Sequence, residues 1–222
     1  MKGPESIAVL LSGGLDSAIL AARLADRYSR VFPLYVRCGF VWEEAEEWHA
    51  RRFLEALDRP GFADLRAFDM PVRDLLADHW SVTGDGVPDG HTPDEAVFLP
   101  GRNVLLLAKP ALWCHRNEVG RLALGPLKSN PFPDSTPAFY EAYQAALNQA
   151  VKGNLQVLRP LERLTKSDVM RMGRDLPLER TFSCIHPVDR LHCGRCNKCA
   201  ERRGAFRSVD LADPTCYADS TG

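Results

Sequence analysis

Residues 10–17 read Leu10-Leu11-Ser12-Gly13-Gly14-Leu15-Asp16-Ser17, and they join an apolar run at residues 7–11 to a segment with helical spacing of apolar residues, residues 17–27. The apolar run predicts a buried parallel strand. Two adjacent glycines let the backbone turn so that several N–H groups face one side, and the following helix adds the positive end of its dipole. The stretch therefore predicts a strand-to-helix connection that binds a phosphate or pyrophosphate group.

The rest of the chain continues this alternation of strands and helices. The order β-α-β-α-β over the first third predicts a parallel sheet with right-handed crossovers, so the fold class is α/β and Rossmann-like. A loop rich in Gly, Pro and Asp at residues 81–96 interrupts the order, which then resumes. The predicted strands are residues 7–11, 31–36, 65–70, 119–124 and 155–158, and the predicted helices are residues 17–27, 42–57, 104–115, 138–151 and 165–176, with Pro137 and Thr165 at the starts of the last two.

Charge and hydropathy exclude some classes of protein. The 222 residues carry a formal net charge of −1, which gives no general attraction to nucleic acid, although Arg202, Arg203 and Arg207 could form a local basic patch. No apolar run approaches the ~20 residues of a membrane span. The apolar residues 7–11 are too few for the core of a secretory leader. We expect a cytoplasmic protein that contacts neither membrane nor nucleic acid directly.

The loop at residues 12–17 differs from two common phosphate-binding motifs. It lacks the Gly-Lys-Ser/Thr ending of a Walker A loop and the G-x-G-x-x-G spacing of dinucleotide-binding folds. A tight turn with an Asp or Ser cap is the simpler interpretation, but the whole Ser-Gly-Gly-x-Asp-Ser string favours nucleotide binding. Ser12 and Ser17 supply hydroxyl donors, and Asp16 could position Mg²⁺, which prefers carboxylate and phosphate oxygens.

Four of the seven cysteines cluster near the C-terminus as Cys184-x₈-Cys193-x₂-Cys196-x₂-Cys199. In a reducing compartment such a cluster indicates a metal site more than disulfides. Four thiolates favour tetrahedral Zn²⁺, with an iron–sulfur cluster as the second choice and free or redox-active cysteines as the third. His186 and His192 are nearby substitutes as ligands. A closed set of four ligands predicts a structural zinc, in a small segment of residues 181–222 packed on a domain of residues 1–180.

A third motif, Pro100-Gly101-Arg102-Asn103, lies midway along the chain. The planar guanidinium of Arg102 suits a phosphate or carboxylate. Asn103 could cap the next helix or contact a base edge. Alone, the motif is explained equally well by a turn followed by a helix cap.

Residues 12–17 resemble the PP-loop of the N-type ATP pyrophosphatases, which resemble adenine-nucleotide alpha-hydrolase-like proteins in fold. The three motifs in this order resemble the 7-cyano-7-deazaguanine synthase (QueC) family, over nearly the whole chain. Lys166 falls where that family carries a lysine, and Arg202 where it carries an arginine after the cysteines.

The resemblance implies a ligase that uses ATP to adenylate the carboxylate of a deazapurine, forms an amide with ammonia and dehydrates the amide to a nitrile. It also implies a homodimer with one structural zinc per chain and Mg²⁺ with ATP. The catalytic residues implied are Ser12, Asp16, Ser17, Arg102 and Lys166. The nucleotide-binding residues implied are Leu10, Leu11, Ser12, Gly13, Gly14, Leu15, Asp16, Ser17, Ala18, Arg102 and Asn103.

The sequence departs from the family's pattern in two stretches that the resemblance places on the substrate side. Residues 130–136 keep Pro133-Asp134 but carry Ser135 and Thr136 where the family has Cys and Arg, and residues 37–42 lack the family's Tyr-Gly-Gln-Arg-His. A related ligase that adenylates a different carboxylate or a protein acceptor therefore stays open. A zinc-containing RNA-binding protein and a nucleotide sensor without catalysis are less favoured, because the charge is near neutral and the loop is intact.

Overall fold

The sheet at the centre of the molecule has five strands, all paired in parallel. The structure is a computed structural model that describes residues 5–219, so residues 1–4 and 220–222, the outer ends of the two predicted regions, lie outside it. The strands follow the order β3-β2-β1-β4-β5, which confirms the predicted parallel, Rossmann-like sheet. Their bounds are Ser6–Leu10 (β1), Arg30–Arg37 (β2), Arg66–Asp69 (β3), Arg121–Ala123 (β4) and Gln156–Leu158 (β5).

Helices cover both faces of this sheet. On one face, the side chains of Ile7 and Val9 pack with α1, α2, α6 and α7, while on the other face Ala8 packs with α4 and α5. These three strand residues have no exposed surface, which explains why β1 is a continuous apolar run. The helices span Leu15–Ala25 (α1), Glu43–Leu57 (α2), Trp80–Thr83 (α3), Arg102–Arg116 (α4), Pro137–Val151 (α5), Lys166–Met172 (α6) and Asn197–Arg207 (α7).

The strand order reverses beside β1. This strand pairs with β2 on one side and with β4 on the other, so the chain runs outward in both directions from the crevice between β1 and β4. In open α/β sheets, ligands bind in such a crevice, at the carboxyl ends of the strands. The loop of residues 12–17 leaves the carboxyl end of β1 at this point.

Two predicted helix starts are confirmed. Thr165 caps α6 with a capping box, in which its side chain accepts from the N–H of Asp168 and the Asp168 carboxylate accepts from the N–H of Thr165. Pro137 occupies the first turn of α5, where its missing N–H has no cost. Helix α6 ends at Met172, four residues before the predicted end.

Two helices were not predicted. The short helix α3 begins at Trp80 and extends into the predicted loop of residues 81–96. Helix α7 follows the cysteines, and its buried positions include Cys199 and Arg202 as well as Ala205 and Phe206. A cysteine and an arginine facing the interior hide the apolar periodicity that would reveal an amphipathic helix. Among the helices of residues 5–219, none has both the length and the apolar character of a membrane span.

Candidate active site

A cavity of about 330 Å³ opens at the carboxyl ends of β1 and β4. The loop of residues 12–17 borders it on one side, and residues at the end of β4, Leu124 and Gly125, border it on another. Its other walls come from α2, the start of α4, α6 and α7. The cavity therefore lies at the reversal point of the sheet, and distant parts of the sequence meet around it.

The phosphate loop, as we name residues 12–17, is shaped by close packing against α2. Gly13 has a φ of +82°, and a Cβ atom there would lie 2.9 Å from the backbone oxygen of Glu46. Both the backbone conformation and the lack of space therefore require glycine at this position. The hydroxyls of Ser12 and Ser17 lie 3.0 Å apart, and Ser17 also donates to the carbonyl of Gly14 at 3.2 Å.

The N-terminus of α1 is open toward the cavity. Helix α1 begins at Leu15, and no side-chain hydrogen bond caps it at Gly14. The first N–H groups of a helix have no acceptor within the helix, and the helix dipole makes this end positive. The loop thus offers N–H donors, hydroxyls and a positive potential to an anion, as the sequence predicts.

A connected group of four charged side chains borders the cavity beside the loop. The ammonium of Lys166 lies 2.7 Å from Asp16 Oδ2 and 2.9 Å from Glu201 Oε1, and Lys198 lies 2.7 Å from Glu201 Oε2. Burial alone would raise the pKa of Glu201, but Lys166 and Lys198 outweigh burial and lower that pKa to about 2. Burial raises the pKa of Asp16, and Lys166 counteracts it.

Two buried polar atoms in this region have no hydrogen-bond partner among the described residues. They are Oδ1 of Asp16 and Nε of Arg102, and both residues line the cavity. The Arg102 guanidinium lies over the ring of Phe40, 5.8 Å from its centroid. Buried polar atoms are nearly always satisfied in native proteins, so an unpartnered carboxylate oxygen and an unpartnered guanidinium nitrogen in two residues that line one cavity fit a ligand with polar groups there.

Asn103 does not cap α4. Gly101, with a φ of +73°, precedes the helix and makes no side-chain cap, and Asn103 lies inside the first turn. Its backbone N–H donates to Asp134 Oδ2 at 3.0 Å and its side-chain amide donates to the Asp134 carbonyl at 2.8 Å. Asn103 therefore fixes the loop of residues 130–136 to α4 at the edge of the cavity, a role that the sequence did not predict.

On the α2 side, the cavity contains a carboxyl group with an unusual environment. Glu46 Oε2 accepts a hydrogen bond of 2.7 Å from the hydroxyl of Tyr35, at the end of β2. Burial raises the pKa of Glu46 to about 7, although Arg102 and Tyr35 act in the opposite direction. The neighbouring Glu43 accepts from the N–H groups of Cys38 and Gly39 at 2.5 and 2.7 Å, which fixes the turn between β2 and α2.

The four clustered cysteines converge at the edge of this region. All four are buried, and their sulfur atoms lie within 4.8 Å of one another, with the pairs 184–196, 193–199 and 196–199 separated by 3.8, 3.9 and 3.5 Å. A tetrahedral site with metal–sulfur bonds of about 2.3 Å separates its sulfurs by about 3.8 Å. The cluster therefore could bind a metal ion. His192 is not part of the set, because its Nε2 accepts from the N–H of Ser183.

The cysteine segment, as we name residues 182–207, makes contacts with the rest of the molecule that include one buried arginine and a backbone hydrogen bond to the phosphate loop. Arg202 is 1% exposed and donates to Thr181 Oγ1, Thr215 Oγ1 and the Leu178 carbonyl at 2.6–2.9 Å. It therefore cannot contribute to the surface basic patch proposed from the sequence. The N–H of Phe182 donates to the carbonyl of Gly13 at 2.8 Å, so this segment directly contacts the phosphate loop.

The structure brings most of the predicted site residues to the cavity. Ala18 is an exception, because its side chain is fully buried in the core behind α1, and Gly13 faces α2. The residues that line it as predicted are Leu10, Leu11, Ser12, Gly14, Leu15, Asp16, Ser17, Arg102, Asn103 and Lys166. Sequence reasoning missed Tyr35, Glu46, Lys198 and Glu201. The only sequence signal for these residues was their position, within or after β2 or close to Cys199.

Comparison with known proteins shows which family the chain resembles over its length. The chain is 31% identical to a 7-cyano-7-deazaguanine synthase of Acidobacterium capsulatum, over 96% of this chain and 97% of that protein. It is 32% identical to the enzyme of that name from Brucella ovis, over 96% and 93%. A solved structure, a predicted tRNA methyltransferase subunit from Methanocaldococcus jannaschii, is a distant likeness with a TM-score of 0.49, 17% identity and coverage of 77% and 75%. Residues 6–210 match the model of the queuosine biosynthesis protein QueC family, and the chain belongs to that family of enzymes.

Proposed function

We propose that this chain is an ATP-dependent ligase that adenylates the carboxylate of 7-carboxy-7-deazaguanine and, with ammonia, converts it to 7-cyano-7-deazaguanine. The observation that carries the proposal is the cavity at the reversal point of the sheet, where the phosphate loop lies beside two unpartnered buried atoms, Asp16 Oδ1 and Arg102 Nε. The relatives named 7-cyano-7-deazaguanine synthase align over nearly the whole chain and supply the substrate.

The residues of the loop fit the polyphosphate of ATP. Ser12, Ser17 and the open N-terminus of α1 offer donors on one side, and Lys166 lies on the other. These groups are fixed before the reaction, so they stabilise the negative charge that develops on the departing pyrophosphate without reorganising. The free oxygen of Asp16 fits Mg²⁺, which would neutralise part of the phosphate charge when bound.

The proposed reaction consists of two successive activations by ATP, first of the carboxylate and then of the amide. A carboxylate oxygen attacks the α-phosphorus of ATP, pyrophosphate leaves, and ammonia then displaces AMP from the acyl carbon to give the amide and a proton. The amide oxygen attacks a second ATP, pyrophosphate leaves again, and loss of AMP and a proton gives the nitrile. Arg102 is placed to hold the carboxylate or the α-phosphate, because it lines the cavity and the Nε of its planar guanidinium has no hydrogen-bond partner among the described residues.

The same proposal includes one structural Zn²⁺ per chain. The four thiols have the separations of a tetrahedral site and leave no open position for substrate. Backbone N–H groups of His186 and Cys193 donate to the sulfur of Cys184, which is the way that proteins stabilise a metal-bound thiolate. The proposal also includes a homodimer, which rests on the family resemblance alone and which light scattering of the purified protein tests.

A second candidate function differs only in the acceptor. Asn130 and Ser135 line the cavity, and they belong to the stretch in which the sequence departs from the family's pattern. This observation favours a different carboxylate or a protein acceptor, adenylated by the same loop.

The deciding experiment incubates the purified enzyme with Mg·ATP, ammonium and 7-carboxy-7-deazaguanine and identifies the product by mass spectrometry. The proposal expects the nitrile, release of AMP and pyrophosphate, and transfer of heavy oxygen from a labelled carboxylate to AMP. Release of AMP with other carboxylates or peptides, and none with the deazapurine, would favour the second candidate. ADP in place of AMP would contradict adenylation itself.

Two variants test the loop. Asp16→Ala and Ser17→Ala are expected to reduce AMP formation at least about 100-fold, because Ser17 would donate to the polyphosphate and Asp16 would hold the Mg²⁺ that neutralises part of its charge. Glu55→Gln is the control, because Glu55 is an exposed residue of α2. Melting temperatures of all three proteins separate lost chemistry from lost folding.

A further inference from the structure

The group of four charged side chains beside the phosphate loop contains two members that come from the cysteine segment. Lys198 and Glu201 lie on α7, one helical turn apart, and both line the cavity. Through Glu201 they connect to Lys166, and through Lys166 to Asp16 of the phosphate loop. Lys198 is an unspecified position between Cys196 and Cys199, and Glu201 lies outside all three sequence motifs.

We propose that Glu201 and Lys198 are positioning residues of the nucleotide site: Glu201 holds Lys166 in place when Asp16 turns to a metal ion, and Lys198 balances the charge of Glu201. The proposal rests on the proposed function, since it takes the phosphate loop to be the ATP site. It assigns a catalytic purpose to a segment whose cysteines by themselves indicate only a structural role.

The hydrogen bonds of Lys166 explain why a second anchor is needed. Its ammonium has three protons, of which Asp16 and Glu201 accept two. If Asp16 held a Mg²⁺ ion, its carboxylate would be shared between that ion and Lys166. Without Glu201, Lys166 would then lose its remaining partner among the described residues. With Glu201, its ammonium stays beside the loop and donates a hydrogen bond to the phosphates.

The negative charge of Glu201 explains why Lys198 lies beside it. Two carboxylates and two ammonium groups form this cluster, so its formal charge sums to zero before ATP arrives. Glu201 alone would add a negative charge to a site that must accept a polyphosphate, and Lys198 cancels it at 2.7 Å. The pair therefore anchors Lys166 without weakening the attraction for ATP.

The geometry of α7 makes this placement rigid. Cys196 immediately precedes the helix and Cys199 lies in its first turn, so the cysteine cluster fixes the end of α7 that carries Lys198. One turn further, Arg202 attaches the helix to Thr181 and Leu178. Glu201 lies between these two attachments.

A double-mutant cycle tests the proposal. Glu201→Gln, Lys198→Met and the double variant are compared with the wild type for kcat and KM of ATP and for the Mg²⁺ concentration that gives half-maximal AMP release. Bound metal, melting temperature and calorimetric binding of a non-hydrolysable Mg·ATP analogue are measured on each. Arg207→Gln is the control, since Arg207 is exposed on the same helix.

We expect Glu201→Gln to lower kcat about tenfold and to raise the Mg²⁺ requirement about threefold, with unchanged metal content. Lys198→Met should mainly raise the KM for ATP. The double variant should recover part of the ATP affinity lost in Lys198→Met, because it restores charge balance. A purely structural pair would instead lower the melting temperature in parallel with activity and leave the Mg²⁺ requirement unchanged.

Three results overturn the inference: wild-type kinetics in Glu201→Gln, strictly additive effects in the double variant, or loss of activity that follows loss of folding. Failure of the wild type to bind the ATP analogue contradicts the proposed function itself, because that measurement needs no acceptor. Binding and turnover in the wild type with an unaffected Glu201→Gln contradicts only the role assigned to α7.

Discussion

The phosphate loop and the cysteine segment form facing parts of one cavity, but different forces hold them in place. The loop lies between β1 and α1, and its own Leu15 and the preceding Leu11 are buried in the main apolar core. The cysteine segment contributes no strand to the sheet and is held by four converging thiols, by the buried Arg202 and by the packing of α7. One half of the site therefore depends mainly on burial in the apolar core of the sheet, and the other depends also on polar contacts and on the cluster of four thiols, so the two should respond differently to the same perturbation.

The largest expected effect is in the cysteine segment. Cys196→Ser should abolish stoichiometric metal binding and release α7, with a loss of several kcal/mol of stability in this segment, because a structural metal contributes on the order of 10 kcal/mol of binding free energy to folding. AMP release should fall by at least about 100-fold, since Lys198 and Glu201 leave the cavity. Metal analysis, limited proteolysis and circular dichroism check this result.

Cys216→Ser is the matched control, because Cys216 is exposed and lies outside the cluster. Because the strands are buried in their own apolar core, the Cys196→Ser protein is expected to keep the circular dichroism signal of the sheet. A global loss of secondary structure would show that the two halves are a single cooperative unit.

The second prediction concerns Arg202. Arg202→Met should lower the free energy of unfolding by about 2–4 kcal/mol, because Thr181, Thr215 and the Leu178 carbonyl lose a buried donor. Chemical unfolding curves measure the change. Arg207→Met, on the exposed side of the same helix, should stay within about 0.5 kcal/mol of the wild type. Equal free energies of unfolding for the two variants would show that Arg202 does not hold this segment in place.

The third prediction concerns packing of the phosphate loop. Gly13→Ala should lower stability by about 2–3 kcal/mol, because it adds a collision with the Glu46 carbonyl to the cost of a positive φ. Gly86→Ala is the matched control, since Gly86 has a φ of +69° but nothing within 4 Å of its added methyl group. It should cost only about 1 kcal/mol. Equal losses of stability in the two variants would mean that α2 moves away from the methyl group added at Gly13 without a further cost.

The smallest effect should come from Glu46. A carboxyl group whose pKa is raised to about 7 in the folded protein, from 4.5, binds its proton more tightly when folded. Its contribution to stability is therefore greatest below pH 4.5 and is lost as the pH rises to about 7. Glu46→Gln keeps a side-chain oxygen that accepts from the Tyr35 hydroxyl. The amide does not ionise, so its contribution to stability does not fall as the pH rises.

The Glu46→Gln protein should thus be more stable than the wild type by about 1–2 kcal/mol at pH 8 and equally stable at pH 4, a value reduced for the open cavity. Melting temperatures across this pH range test the sign. Greater stability of the wild type at pH 8 would show that Glu46 is paired with Arg102 more closely than its burial implies.

The sequence predicted the elements whose signal is local. The apolar run of β1, the glycines of the phosphate loop and the cap at Thr165 each follow from neighbouring residues, and the structure confirms the strand and the cap. Spacing alone also indicated four cysteines at one metal site, and the structure brings their sulfurs together.

The parts that escaped depend on tertiary contacts. Helix α7 was not predicted because Cys199 and Arg202 occupy interior positions that are apolar in ordinary helices. Tyr35 and Glu46 meet only when α2 folds back on β2, and Glu201 reaches Lys166 only when α7 packs against α6. No local pattern encodes such meetings, so charged residues in amphipathic helices are easily taken for solvent-exposed ones.

The hydrogen bond from Phe182 to Gly13 has a consequence for the timing of biosynthesis. The phosphate loop precedes the cysteine segment in the chain, so the carbonyl of Gly13 receives its partner only when that later segment has been synthesised. The same late segment carries the cysteines and Glu201. A chain that is interrupted between these two segments thus lacks the partner of Gly13 and part of the wall of the cavity.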